Sequence, residues 1–298
     1  MLVLVKLVEL AEGIYLLPGR VNIGFITVEE GCYMIDTGLD KDQARRALNA
    51  LRSASLKLVA VVNTHSHADH IGGNAFVQKR ENVPVLAPRA ELPFITHPWL
   101  EPAILFGGSF PRDLSSKFFM AGASHPEALE EREVPFKVID LRGHSPGMVG
   151  LRIGGVFFTA DAYFGADVLA RHVLPYTYDP GTALKSLEHV LDERGAELFV
   201  PSHGQPTQDP TSEVEANAKA IEAAREAVLK ALKASGRGTS MCELTRVVLS
   251  ELGIRPRSPG LFWLYSSCLR GYLAWLERDS LAEPVLGDAE LRWRLIKT

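Results

Sequence analysis

Cysteine is scarce in this 298-residue chain: Cys32, Cys242 and Cys268 are the only three, odd in number and far apart. That argues against a disulfide framework and fits a reducing cytoplasm. Long hydrophobic runs are missing as well. No stretch of about 18 apolar residues exists, so no membrane span is expected. The opening Met1-Leu2-Val3-Leu4-Val5-Lys6 is apolar but has no basic leader and no small-residue cleavage site, so a strand is expected there rather than a signal peptide. Neither charge dominates: the net charge is −4, which points to no particular partner. A Walker loop and a Rossmann fingerprint are both absent. With 46% hydrophobic residues, the chain suits one large domain plus a small one.

What the chain does have is a dense polar cluster. Asn63-Thr64-His65-Ser66-His67-Ala68-Asp69-His70 packs three histidines and an aspartate into six positions. Core packing asks for no such run. Imidazole and carboxylate are the metal ligands a protein has besides thiolate. On extended backbone leaving a strand, His65 and His67 would point to the same side. Asp69 and His70 would follow in a turn toward a second point, so one loop could serve two neighbouring metals.

Five motifs in order carry a resemblance to the metallo-β-lactamase superfamily, over about the first 208 residues. They are Asp36-Thr37-Gly38 at a strand end, the histidine box running into Ile71-Gly72-Gly73-Asn74, Gly143-His144-Ser145-Pro146-Gly147, Thr159-Ala160-Asp161, and Pro201-Ser202-His203-Gly204. The resemblance implies an α+β, four-layer αβ/βα sandwich. It also implies that His65, His67 and His144 hold one metal, that Asp69, His70 and His203 hold a second, and that Asp161 bridges them. Asp36 and Thr37 would orient a ligand or the box backbone. Members with the bridging carboxylate resemble thioesterases, lactonases, phosphodiesterases and flavodiiron proteins, whereas true β-lactamases lack it. Gly143 to Gly147 also reads G-x-S-x-G, but the elbow of serine hydrolases needs an N–H after the serine, and Pro146 has none. Ser145 is therefore read as a turn residue.

Pattern predicts the elements. Strands are expected over 3–9, 14–17, 23–28, 32–35, 58–62, 85–86, 136–141, 148–153, 156–159 and 198–200, and helices over 41–51 (capped by Asp40), 71–78 and 182–191. Residues 90–133 show no clear strand and are rich in aromatics. Such an insertion is either a cap bordering the site or a dimer surface. The stretch from Tyr163 to Pro180, with His172, Tyr176 and Tyr178, is a candidate substrate-facing loop. His97, His125 and His189 match no ligand motif.

From residue 209 on, helices over 214–232, 239–252 and 258–276 are followed by a hairpin around Gly287-Asp288. This pattern resembles a winged-helix domain, giving a division into 1–208 and 209–298. Residues 211–298 hold 13 Lys and Arg against 11 Asp and Glu. That is a weak surplus for gripping phosphates, so packing or dimerisation is the expected role.

The expected protein is a cytoplasmic metallohydrolase. A hydroxide bridging two metal ions, zinc first and iron or manganese next, would attack a small ester, thioester or lactone. Asp69 and Asp161 would be indispensable to turnover. Two alternatives share these ligands: a nuclease or phosphodiesterase on nucleic acid, and a persulfide dioxygenase-like oxidoreductase with one iron.

Overall fold

The computed structural model describes residues 7–287 and 289–296. Along the chain, β1 (Val8–Ala11), β2 (Ile14–Leu17), β3 (Ile23–Val28) and β4 (Gly31–Ile35) form an antiparallel meander. The predicted first strand lies partly outside the described residues; its described part begins at Val8 and runs on to Ala11. Helix α1 (Lys41–Ser53) follows, with the Asp40 carboxylate accepting the N–H groups of Asp42 and Gln43. Then β5 (Leu58–Val62) pairs parallel to β4, and the chain enters the histidine box.

The predicted helix over 71–78 is instead two: α2 (Ala68–Ile71) and α3 (Asn74–Glu81). The break falls at Gly72-Gly73 and has a packing cause. A Cβ at Gly72 would run into the Leu39 carbonyl, and one at Gly73 would lie 2.7 Å from the Thr37 carbonyl. The elbow therefore sits directly against the loop that follows β4. After β6 (Val85–Ala87) come two short helices, α4 (Leu92–Thr96) and α5 (Leu100–Phe106). The expectation that 90–133 holds no strand needs correcting. Residues Pro126–Ala128 form β7, which pairs with β6 and closes the seven-stranded sheet. Three residues starting with proline are too short to leave a periodic signal.

The second sheet has four strands in the order β11-β10-β9-β8: β8 (Lys137–Asp140), β9 (Val149–Ile153), β10 (Val156–Ala160) and β11 (Leu198–Pro201). Helices α6 (Ala166–Arg171) and α7 (Pro180–Asp192) lie between β10 and β11. Alternation along the strands sorts the layers. Ile26 and Ile35 of the first sheet meet Leu151 and Phe158 of the second between the sheets, while Phe25 and Met34 turn outward onto Ala44, Leu48 and Leu51 of α1. Phe157 turns outward from the second sheet onto Leu187 of α7 and the C-terminal helices. The result is a helix–sheet–sheet–helix stack.

The C-terminal region comprises α8 (Thr211–Ala234), α9 (Met241–Glu251), α10 (Pro259–Arg278) and a hairpin of β12 (Ala282–Gly287) with β13 (Glu290–Leu295). Asp288, at the predicted turn, lies outside the described residues. A capping box opens α9: Ser240 Oγ accepts from Glu243 N–H, and the Glu243 carboxylate accepts from Ser240 N–H. Val228, Leu244, Leu269 and Tyr272 join the same apolar cluster as Phe157 and Leu187, so these helices complete the core of the second half. Among the described residues no helix is long and apolar enough to cross a membrane.

Candidate metal centre

Strand ends at one edge of the sandwich deliver the predicted donors. Parallel β4 and β5 end side by side, giving Asp36 and the histidine box; parallel β10 and β11 end side by side, giving Asp161 and His203. His144 comes from the turn between β8 and β9. Asp36 (φ 60°) and Ala160 (φ 51°) are non-glycine residues in the left-handed region, where backbone strain concentrates at functional positions.

All seven predicted donors come together. His65, His67 and His144 present ring nitrogens within 4.8 Å of one another, Asp69, His70 and His203 bring their ligand atoms equally close, and Asp161 groups with His65 and His70. Asp161 sits at the centre: its Oδ1 is 3.5 Å from His70 Nε2, and its Oδ2 is 3.5 Å from His144 Nε2 and 3.4 Å from His203 Nε2. His203 Nε2 is also 3.3 Å from Asp69 Oδ2.

The surrounding hydrogen bonds aim the rings. His70 Nδ1 is 2.9 Å from Asp36 Oδ2, and His144 Nδ1 is 2.9 Å from the Tyr176 carbonyl. His65 Nδ1 is 3.0 Å from Thr64 Oγ1. Each bond occupies Nδ1 and leaves Nε2 facing the centre. Asp36 also accepts the Thr64 N–H at 2.9 Å, and the Thr37 hydroxyl donates to the His70 carbonyl at 3.1 Å. Both residues thus hydrogen-bond to the box. Asn22 donates to the carbonyls of Pro201 and Gly204, fixing the His203 loop.

Three buried atoms test whether this set suits a metal. His65 Nε2, His70 Nε2 and Asp161 Oδ1 have no hydrogen-bond partner among the described residues, and all three point into the cluster. Buried polar atoms left bare are costly, so a shared partner is called for. Oxygen and imidazole donors without thiolate suit zinc, iron or manganese. Burial, reinforced by the neighbouring histidines, holds His65 well below its usual range, and burial beside His144 brings His67 down to about 3. Both therefore stay in the neutral, ligating form. Burial opposes charge on Asp69 and Asp161 too, but His70 and His203 outweigh it and keep both carboxylates ionised.

Two acidic residues escaped the sequence reading. Glu91, fully buried, accepts the Ser66 N–H at 3.1 Å, the Ser145 hydroxyl at 2.6 Å, the Gly147 N–H at 2.6 Å and the Ser66 hydroxyl. Ser145 thus has an anchoring bond beyond its turn. Glu101 of α5 places Oε1 3.5 Å from His67 Nε2. Burial, then Glu91 and Asp69, push its carboxyl well above the usual range. Both lie in the 90–133 segment, where no period or motif marks them. His172 borders the cavity over the centre, together with Phe164 and Tyr176, so the stretch after Asp161 does face that space.

The metallo-beta-lactamase superfamily model matches residues 16–203. The chain belongs to that superfamily. Hydroxyacylglutathione hydrolase 2 of Vibrio vulnificus (strain YJ016) is 30% identical over 140 residues, which is 46% of this chain and 44% of that one. The chain thus spans under half the length of this relative. The probable metallo-hydrolase YybB of Bacillus subtilis (strain 168) is 26% identical over 192 residues, covering 62% of this chain and 81% of that one. Among solved structures, the metallo-beta-lactamase family protein TTHA1429 from Thermus thermophilus superposes with a TM-score of 0.72 at 21% identity, over 97% of this chain and 100% of that one. A beta-lactamase domain protein from Burkholderia ambifaria gives 0.67 at 19%, over 97% and 93%. At those identities the likeness speaks for the fold.

Proposed function

We propose that the chain is a metal-dependent hydrolase of a small ester, thioester or lactone, working with two metal ions held by the seven-donor cluster. The observation that carries this reading is the convergence of His65, His67, Asp69, His70, His144, Asp161 and His203 with three buried donor atoms left bare. His65, His67 and His144 would hold one ion and Asp69, His70 and His203 the other, with Asp161 between them. Two such ions would lower the pKa of a shared water toward about 7 and act as Lewis acids.

The chain's own groups supply the rest. Asp36 and the Tyr176 carbonyl engage Nδ1 of His70 and His144, so that Nε2 of each is turned toward the cluster, where His144 Nε2 lies 2.8 Å from His67 Nδ1. Glu91 keeps the loops of His65, His67 and His144 in register. Aromatic and aliphatic side chains such as Phe164, Leu174 and Tyr176 line the cavity over the centre. Similarity to hydroxyacylglutathione hydrolases over 140 residues supports cleavage of an acyl compound.

Metal content, measured on protein purified without added metal or chelator, tests the reading. About two zinc ions per chain, with turnover of aryl esters or thioesters that a chelator abolishes, is the expected result. One iron per chain without such turnover overturns it in favour of sulfur or oxygen chemistry.

A further inference from the structure

The donor cluster forms only the floor of a cavity of about 200 Å³. Its walls come from three segments distant in sequence: Phe118 and Phe119 from the insertion, Phe164 and Leu174 after Asp161, and Leu261 and Leu264 from α10. The wall is anchored. Asp113 of the insertion accepts the Gly260 N–H at the start of α10, and Phe106 meets Trp263 edge-on with ring centroids 5.3 Å apart. Among the described residues lining the cavity, none is Lys or Arg, whereas three are the acids Asp69, Glu101 and Asp161. Lys117 and Arg171, each next to a lining residue in sequence, are exposed and paired with Asp40 and Asp167.

Resting on the hydrolase reading above, we propose that this cavity selects an uncharged alkyl acyl group carried on an uncharged leaving group, and that α10 is its selecting wall. A carboxylate carried on the leaving group, away from the donor cluster, would meet apolar walls with no lysine or arginine in the lining to offset its desolvation. An alkyl chain gains roughly fourfold in affinity for each methylene it buries. The volume lies below the range of about 300–1,000 Å³ that encloses drug-sized ligands, so the acyl group is small. In the reaction, the acyl C–O or C–S bond breaks. Water's oxygen bonds to the acyl carbon, and a water proton passes to the departing alkoxide or thiolate.

Two comparisons and one binding measurement test this on the full-length, zinc-loaded protein. Wild type should hydrolyse S-hexanoyl-N-acetylcysteamine with at least about tenfold higher kcat/KM than S-hexanoylglutathione, and should favour hexanoyl over acetyl nitrophenyl esters. Leu264→Trp, which fills the cavity, should lower the hexanoyl-to-acetyl ratio by about tenfold, and Leu264→Ala should move the preference toward octanoyl. Hexanamide, an uncleaved probe, should bind wild type in calorimetry and lose affinity in Leu264→Trp. Faster turnover of the glutathione thioester, or a chain-length ratio that neither variant moves, overturns the inference and leaves the hydrolase reading standing. Hexanamide binding without turnover of any ester or thioester overturns the hydrolase reading and leaves the cavity assignment standing. Absence of hexanamide binding overturns the assignment.

Discussion

Glu91 Oε1 lies 2.6 Å from the Ser145 hydroxyl while Glu91 Oε2 accepts the Ser66 N–H at 3.1 Å, so one buried carboxylate joins the loops that carry His65, His67 and His144. Glu91→Ala would leave two hydroxyls and two N–H groups without their partner, at about 1–3 kcal/mol for each that stays buried and unmet. Glu91→Gln keeps the shape but has one acceptor oxygen in place of two. The expected outcome is a metal affinity about 10–100-fold weaker in Glu91→Gln, with a near-native circular dichroism spectrum, and a clearly lower Tm in Glu91→Ala. Chelator competition and thermal melts read both. Unchanged affinity in both variants would show that the loops hold their register alone.

Asp36 accepts from His70 Nδ1 and from the backbone that leads into the box. Asp36→Ala therefore frees the His70 ring and its tautomer together. A loss of about 10–100-fold in metal affinity is expected, concentrated on the site shared by Asp69, His70 and His203. Metal content per chain after dialysis should fall from about two toward one. Full retention would exclude the orienting role.

Asp161 contacts His70, His144 and His203 at 3.4–3.5 Å, and Asp69 contacts His203 at 3.3 Å. Asp161→Ala and Asp69→Ala should each cut kcat by at least about 100-fold while leaving the circular dichroism spectrum unchanged. Activity close to wild type in either variant would sink the two-ion mechanism.

Removing bound metal exposes the cost of the bare donors His65 Nε2, His70 Nε2 and Asp161 Oδ1. Metal-free protein should melt at lower temperature. Titrated zinc should raise Tm in a concentration-dependent way, by mass action on the folded state. A Tm indifferent to zinc would mean that the cluster binds none.

The three thiols should separate by burial. Cys242 is exposed, whereas burial pushes Cys32 up to about 12 and Cys268 up to about 11. Only the thiolate reacts, and it dominates only above the group's pKa, so at pH 8 the two buried thiols are protonated as well as shielded. One thiol per native chain should react with a disulfide reagent at pH 8, and three in denaturant. Cys268 labelling in the native protein should rise as the pH climbs toward 11. Three fast thiols at pH 8 would contradict the packing of α10.

Much of the centre was legible because its donors are local. His65, His67, Asp69 and His70 lie within six positions, and the loop geometry after a strand makes their convergence nearly automatic. Asp36, His144, Asp161 and His203 were readable through the resemblance of their short motifs to those of the superfamily; taken singly, an isolated His144 or His203 would have carried little. Short apolar runs bounded by turn residues marked β3, β4, β5 and β10, and Asp40 announced α1. Other features left no such mark. The break at Gly72-Gly73 depends on how closely the Leu39 carbonyl approaches, and β7 is a three-residue edge strand.

The sequence by itself determined which atoms can bind a metal and on which strands they ride, because those relations span a few residues of backbone. Tertiary structure alone decided what surrounds them. Glu91 meets a serine 54 residues away, and Asp113 meets a helix start 147 residues away. The cavity wall joins an aromatic insertion to α10. Contacts of that span are set by how the sheets and helices pack, and side-chain identity at one position carries no record of which distant surface it will face.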